Sequence, residues 1–183
     1  MNKRVFKYIK FILCSLVLVI IDQYTKFAVV DKIGKTETHV VIKKLLSFQY
    51  VENTGVAFGI LSGKSVFIII FAIIISLIIC YLIHQIESAI LNNKENSTIN
   101  YKRFKKKFTF IQIFLVFVIS GSIGNLIDRI RYGYVVDFLK FEFIDFPVFN
   151  VADCYVTISA VVLLVTLIFF IKENELELVK FRK

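Results

Sequence analysis

The residues of this chain that could do chemistry are carboxylates in apolar surroundings. Asp153 follows Asn150-Val151-Ala152 at the head of a long apolar run, and Asp137 lies in Val135-Val136-Asp137-Phe138. Two such side chains brought close could not both ionise, so they would share one proton. The ionised partner could take a proton from water while the protonated one polarised a carbonyl. That is peptide hydrolysis without a metal or a covalent intermediate. Their spacing of 16 residues does not by itself bring them together. Each also has a plainer reading. Asn150 followed by an acidic residue three on resembles a capping box, in which Asp153 would serve the helix dipole. Asp137 could be a polar loop residue, although its apolar neighbours argue against a purely solvated position. The sequence offers no competing apparatus: no Gly-x-Ser-x-Gly elbow, no His-Glu-x-x-His zinc helix and no P-loop.

Further polar residues stand where apolar ones are expected. Asp22 and Lys26 are four apart and meet on one helix face. Alone, they read more simply as a self-neutralising pair closing a first helix. Gly121, Asn125 and Asp128 follow i, i+4, i+7 and form one helical stripe. Its glycines allow close helix approach. The alternative is packing glue, with an Asp128–Arg129 pair at the interface. Cys14, Cys80 and Cys154 have no metal or disulfide spacing and read as small buried hydrophobes. His39 and His84 are isolated and receive no role.

The elements that must position these residues are membrane spans. The chain has 183 residues, 57% hydrophobic and 20% charged, with a mean hydropathy of +0.75. Soluble domains are nearer half apolar and a quarter charged. A spanning helix needs about 20 mostly apolar residues. Residues 66–83, 108–127 and 154–171 carry no charge, and 11–30 is interrupted only by Asp22 and Lys26. We therefore expect one integral membrane domain over 1–183, an all-α four-helix bundle with spans at about 9–30, 66–85, 108–128 and 151–171. The outer segments would be 31–65 and 129–150, with a solvated cytoplasmic loop over 86–107. Residues 40–42 and 45–51 are β-prone, and 138–144 alternates polar and aromatic residues as a short interfacial strand or hairpin would. The start looks like a signal peptide, but no small-residue cleavage site follows, so a retained first helix is expected.

The net charge of +9 could suggest nucleic acid, but its placement argues for lipid. Lys3, Arg4, Lys7 and Lys10 precede the first span, and Lys94, Lys102, Arg103, Lys105, Lys106 and Lys107 lie between the second and third. Lys172, Lys180, Arg182 and Lys183 follow the fourth. Basic segments beside spans stay cytoplasmic, so both termini should face inside and the carboxylates should gather at the outer leaflet.

The ordered set of motifs resembles the type II, or lipoprotein, signal peptidase family. Asp22-Gln23-Tyr24-Thr25-Lys26 is similar to its D-x-x-x-K element, and Asn53-Thr54-Gly55-Val56-Ala57-Phe58 to N-x-G-x-A-F. Gly121-Ser122-Ile123-Gly124-Asn125-Leu126-Ile127-Asp128-Arg129, continuing to Gly133-Tyr134-Val135-Val136-Asp137-Phe138, resembles its long G-x-x-G-N-x-x-D-R…G-x-V-x-D-F motif. Phe149-Asn150-Val151-Ala152-Asp153 resembles F-N-x-A-D. Ser120, Val156 and Ser159 depart from the family pattern at helix-packing positions. The resemblance implies an intramembrane aspartic peptidase of the bacterial cytoplasmic membrane. It would cut diacylglyceryl-modified prolipoproteins immediately before the lipidated cysteine. The resemblance makes Asp137 and Asp153 the catalytic pair. Asn53, Gly55, Asn125, Asp128, Arg129, Asn150 and Ala152 would surround the substrate, with Asp22 and Lys26 in support. It also implies a β-rich outer cradle. We expect a monomer in membrane lipid, with no cofactor, metal or nucleic-acid partner. The competing readings are a small transporter or proton relay using intramembrane carboxylates, and a structural assembly factor.

Overall fold

The computed structural model describes residues 3–34, 37–55, 63–95 and 100–179. Helix α1 (Lys3–Ile33) leads into strands β1 (Thr38–Ile42) and β2 (Leu46–Asn53). Helices α2 (Ser65–Asn92) and α3 (Tyr101–Tyr132), strand β3 (Val135–Phe141), helix α4 (Val151–Phe170) and the short α5 (Glu173–Glu177) follow.

Burial in this bundle is inverted relative to a soluble one. Leu77, Ile168 and Phe169 point outward at 62–74% exposure, whereas Asp22, Gln112 and Asn150 are fully buried. Only a lipid solvent makes that arrangement favourable, because apolar side chains lose nothing by facing hydrocarbon while polar groups need partners inside. Helices α2, α3 and α4 are long and apolar enough to cross a membrane. Helix α1, at 31 residues, has the length, about 46 Å, but carries charges along it. Cys80, expected to be buried, is exposed on α2, and Cys14 and Cys154 are half-buried.

Helix α3 is the hub, with α1, α2 and α4 all packed on it. Among the described residues, α2 and α4 meet each other far less than either meets α3. Two glycines set the closeness of α1, α3 and α4. A Cβ on Gly121 would lie 2.5 Å from the Ala152 carbonyl oxygen, and one on Gly124 would lie 2.5 Å from Asp22 Oδ2. Helix α3 starts at the Asn100 cap, whose side chain accepts from Arg103 N–H at 3.1 Å. It stops at Gly133, where φ of +81° suits a residue without a Cβ.

The helices run further than the uncharged stretches suggest. The connector expected over 86–107 shrinks to 93–100, because α2 continues to Asn92 and α3 begins at Tyr101. The extra turns are held by packing of Ile86, Ile90, Phe104, Phe108 and Ile171. Lys7 reaches between α2 and α3, pairs with buried Glu87, and donates to Gln112 Oε1 at 2.7 Å. The charged tail also folds back. Glu175 on α5 pairs with Lys107 at 2.7 Å.

The strands form one antiparallel sheet, ordered β1-β2-β3. The β1–β2 hairpin turns at Lys44, with φ of 63°. Of the strand or hairpin expected at 138–144, the structure has the strand, which begins earlier, at Val135, ends at Phe141 and pairs along β2. Asp137, read as a possible loop residue, therefore lies inside β3, opposite Val51, with Asn53 opposite Val135. A bridge from Leu139 to Phe149 then returns the chain to the head of α4.

Candidate active site

The site is built where four parts of the chain meet: the C-terminal half of α1, the end of β2, the last turns of α3, and the β3-to-α4 connection. At the head of α4, Asn150 caps the helix. Its Oδ1 accepts from Asp153 N–H at 3.0 Å, and its own N–H donates to Asp153 Oδ2 at 3.1 Å. The capping box expected from the sequence is therefore present. It does not exhaust either residue, because the Asn150 Nδ2 amide also donates to Asp137 Oδ1 at 2.6 Å. One asparagine thus holds both carboxylates, and this contact overcomes the separation in sequence.

The other oxygens have their own donors. Asn53 Nδ2 reaches Asp137 Oδ2 at 2.8 Å from the end of β2, and Asn125 Nδ2 reaches Asp153 Oδ1 at 2.8 Å from α3. Asn53 is itself oriented by Gly55 N–H, 2.9 Å from its Oδ1. Arg129 donates to the Gly55 carbonyl at 2.7 Å, so it braces the turn after β2.

Beneath this layer lies a buried ionic cluster. Lys26 Nζ is 2.9 Å from Asp22 and 2.9 Å from Asp128, and donates to Asn125 Oδ1 at 3.0 Å. The expected Asp22–Lys26 pair forms, but inside the bundle and shared with α3. Asp128 is ion-paired across helices to Lys26, and its carboxylate accepts Val136 N–H at 3.1 Å, fixing the start of β3. Asp22 accepts Ala152 N–H at 2.9 Å, so a residue of α1 satisfies a free amide in the first turn of α4. Every charge in the cluster has a partner, the condition under which burial is tolerated.

Gln23 belongs to this cluster and was not foreseen. It donates to Asp128 Oδ1 at 2.9 Å and to the Gly124 carbonyl at 3.1 Å. A polar amide beside Asp22 in an apolar helix was the available signal. The remainder of the second motif, Val56 to Phe58, lies outside the described residues.

Burial first, then the charge of Asp153, pushes the Asp137 carboxyl up to about 7, against the opposing donors Asn53 and Asn150 and the positive Lys26. Both aspartates open onto a cavity of about 1060 Å³. Its walls include Ile68, Phe71 and Ile75 from α2 and Val156 and Ile158 from α4, with Ser122 and Asn125 of α3 between them. Phe146 and Phe149 complete the lining.

Residues 14–169 match the family model described as signal peptidase (SPase) II. The chain belongs to the signal peptidase II family. Members of that family are proteases. A lipoprotein signal peptidase of Enterococcus faecalis is 37% identical over 158 residues, covering 86% of this chain and 87% of that protein. One from Clostridium tetani is 38% identical over 162 residues, covering 87% and 90%. A bacterial membrane enzyme solved by the in meso method at 2.3 Å resolution is similar with a TM-score of 0.69 at 31% identity, over 95% of this chain and 94% of that one. The transporter and assembly-factor readings find no support in these matches.

Proposed function

We propose that the chain is a membrane-embedded aspartic endopeptidase that removes the signal peptide from diacylglyceryl-modified bacterial prolipoproteins. Asp137 and Asp153 are its water-activating pair. The observation that carries the assignment is the single Asn150 hydrogen-bonded to both carboxylates at the edge of a lipid-level cavity. Asp137, with its carboxyl raised to about 7, holds the shared proton at rest. Asp153 is the ionised partner. Water attacks the scissile carbonyl carbon and gives its proton to Asp153, while Asp137 gives its proton to the carbonyl oxygen. The tetrahedral diol collapses as Asp153 protonates the leaving nitrogen and Asp137 recovers the hydroxyl proton. Both aspartates end in their starting states.

The cavity suits a signal helix whose cleavage point emerges at the membrane surface. Because α2 and α4 separate around α3, the substrate helix enters sideways from lipid, and the diacylglyceryl chains stay in lipid while the scissile bond reaches the carboxyls. Arg129 also lines the cavity, where its guanidinium can donate to a substrate carbonyl. In this reading α1 is a fourth span, both termini are cytoplasmic and the site faces the outer leaflet, as the basic segments favour. The test is cleavage of a diacylglyceryl-modified precursor by the purified protein alone in detergent. Product cut before the lipidated cysteine is expected, and an intact precursor with folded enzyme would refute the assignment.

A further inference from the structure

We infer that the basic outer face of α3, at the end remote from the aspartates, is a binding site for one anionic glycerophospholipid, its phosphate held by Lys102, Lys105 and Lys106 and an acyl chain laid over Phe110 and Ile113. Helix α3 divides its first turns between three surroundings. Phe104 and Phe108 point into the core. Lys107 is already neutralised by Glu175. Lys102, Lys105 and Lys106 are exposed, and among the described residues none of them is ion-paired. Together with Tyr101, Thr109, Phe110 and Ile113 they line a shallow groove of about 500 Å³.

The order of chemistry along that groove is the order along a lipid molecule. Positions 102, 105, 106, 109, 110 and 113 follow helical spacing on one side of α3. Three ammonium groups come first, a hydroxyl follows, and two exposed apolar side chains come last. The uncharged stretch 108–127 has 20 residues and spans about 30 Å, one hydrocarbon thickness. The lysines therefore stand at headgroup depth, while Phe110 and Ile113 stand just inside the hydrocarbon. A nucleic acid or a soluble acidic protein could use the lysines but not the two apolar residues below them. Each lysine near an anionic surface contributes roughly fivefold to local enrichment, so three amount to a selective site.

The chain has no tryptophan, so Phe110→Trp creates a single fluorescent reporter in the groove. The full-length protein carrying it is reconstituted in phosphatidylcholine vesicles containing a minority of either brominated phosphatidylglycerol or brominated phosphatidylcholine. Stronger quenching by the brominated phosphatidylglycerol at equal fraction is expected. Adding Lys102→Gln, Lys105→Gln and Lys106→Gln should reduce that quenching to the phosphatidylcholine level, with precursor cleavage retained as proof of folding. The control Lys43→Gln, Lys44→Gln, Lys140→Gln should keep the preference. Equal quenching by the two lipids, or a preference that survives loss of the three lysines, would overturn the site. Abolition of the preference by inorganic phosphate alone would also overturn it, by showing a simple anion site.

Discussion

The Lys26 ammonium lies 3.0 Å from Oδ1 of Asn125, and that contact decides which side of the Asn125 amide meets Asp153. An ammonium can only donate, so Oδ1 must face it, and Nδ2 is left to donate to Asp153 at 2.8 Å. Asn150 Nδ2, 3.0 Å from the same Oδ1, enforces the same orientation. The buried cluster beneath the site is therefore connected to one of the two carboxylates through a single side chain.

Asn125→Ala should lower kcat by roughly 10²-fold while changing KM much less, because it removes positioning rather than chemistry. Steady-state cleavage of a lipidated precursor checks this. Wild-type rates across substrate concentrations would reduce Asn125 to helix packing.

Gly124→Ala places a methyl group 2.5 Å from Asp22 Oδ2 and 3.3 Å from Ala152 Cβ. It should push α1 from α3 and loosen the Asp22 contact to α4. Overpacking of this kind costs about 1–3 kcal/mol, so a lower unfolding midpoint in detergent is expected together with reduced turnover. An unchanged midpoint would mean that the three helices can separate at no cost.

Much of this site was legible in the sequence because charges inside apolar stretches are expensive and rarely idle. Asp22, Lys26 and the Gly121, Asn125, Asp128 stripe all turn inward, as helical spacing indicated. The three helices long and apolar enough to cross a membrane were legible from their uncharged runs, their ends less so. Lys102 to Lys107 looks like a solvated loop by composition, yet Phe104 and Phe108 at helical spacing hold it as α3. Contacts across many residues could not be read at all. Nothing local tells that Asp22 will accept the amide of Ala152, 130 residues away. Nor does spacing reveal that β3 will pair with β2 and so bring Asn53 to Asp137.

The raised Asp137 carboxyl gives a pH dependence with a definite sign. Its folded value, about 7, lies above the ordinary aspartate value of 3.8, so the folded protein holds this proton more tightly. The associated stability is fully present below the unfolded value and is lost as pH rises through about 7. Asp137→Asn cannot acquire that buried charge, so its midpoint should exceed that of wild type more at pH 8 than at pH 4. Wild-type kcat should also fall above neutral pH as the shared proton leaves, with apparent pKa values that belong to the pair. Equal pH profiles of stability for the two proteins would remove Asp137 as the proton holder.

The orientation can be checked with exposed positions at opposite ends of the bundle. Lys94, beyond α2, and Lys43, in the β1–β2 turn, are both exposed. Cysteine at Lys43 should react with a membrane-impermeant reagent in intact cells, and cysteine at Lys94 only after lysis. The background is a variant lacking the natural Cys14, Cys80 and Cys154. The reverse pattern would invert the topology and place the aspartates at the inner leaflet.

Asp153 carries the sharpest test, because capping and catalysis make different demands on it. As a capping residue it needs an acceptor for the Asn150 N–H, which an asparagine side chain can supply through its oxygen. As a proton acceptor for water it needs an ionisable carboxyl, which asparagine lacks. Asp153→Asn should therefore remain folded in the membrane, keep most of its thermal stability and accumulate lipidated precursor uncut. Asp137→Asn should also leave precursor uncut, and the double variant should be no worse than either single one, since the two groups act as a unit. Both outcomes are read from precursor and mature bands on a gel beside a melting curve of each purified variant. Normal cleavage by Asp153→Asn, with only Asp153→Ala unfolding the head of α4, would leave Asp153 a helix cap and transfer the chemistry to another residue.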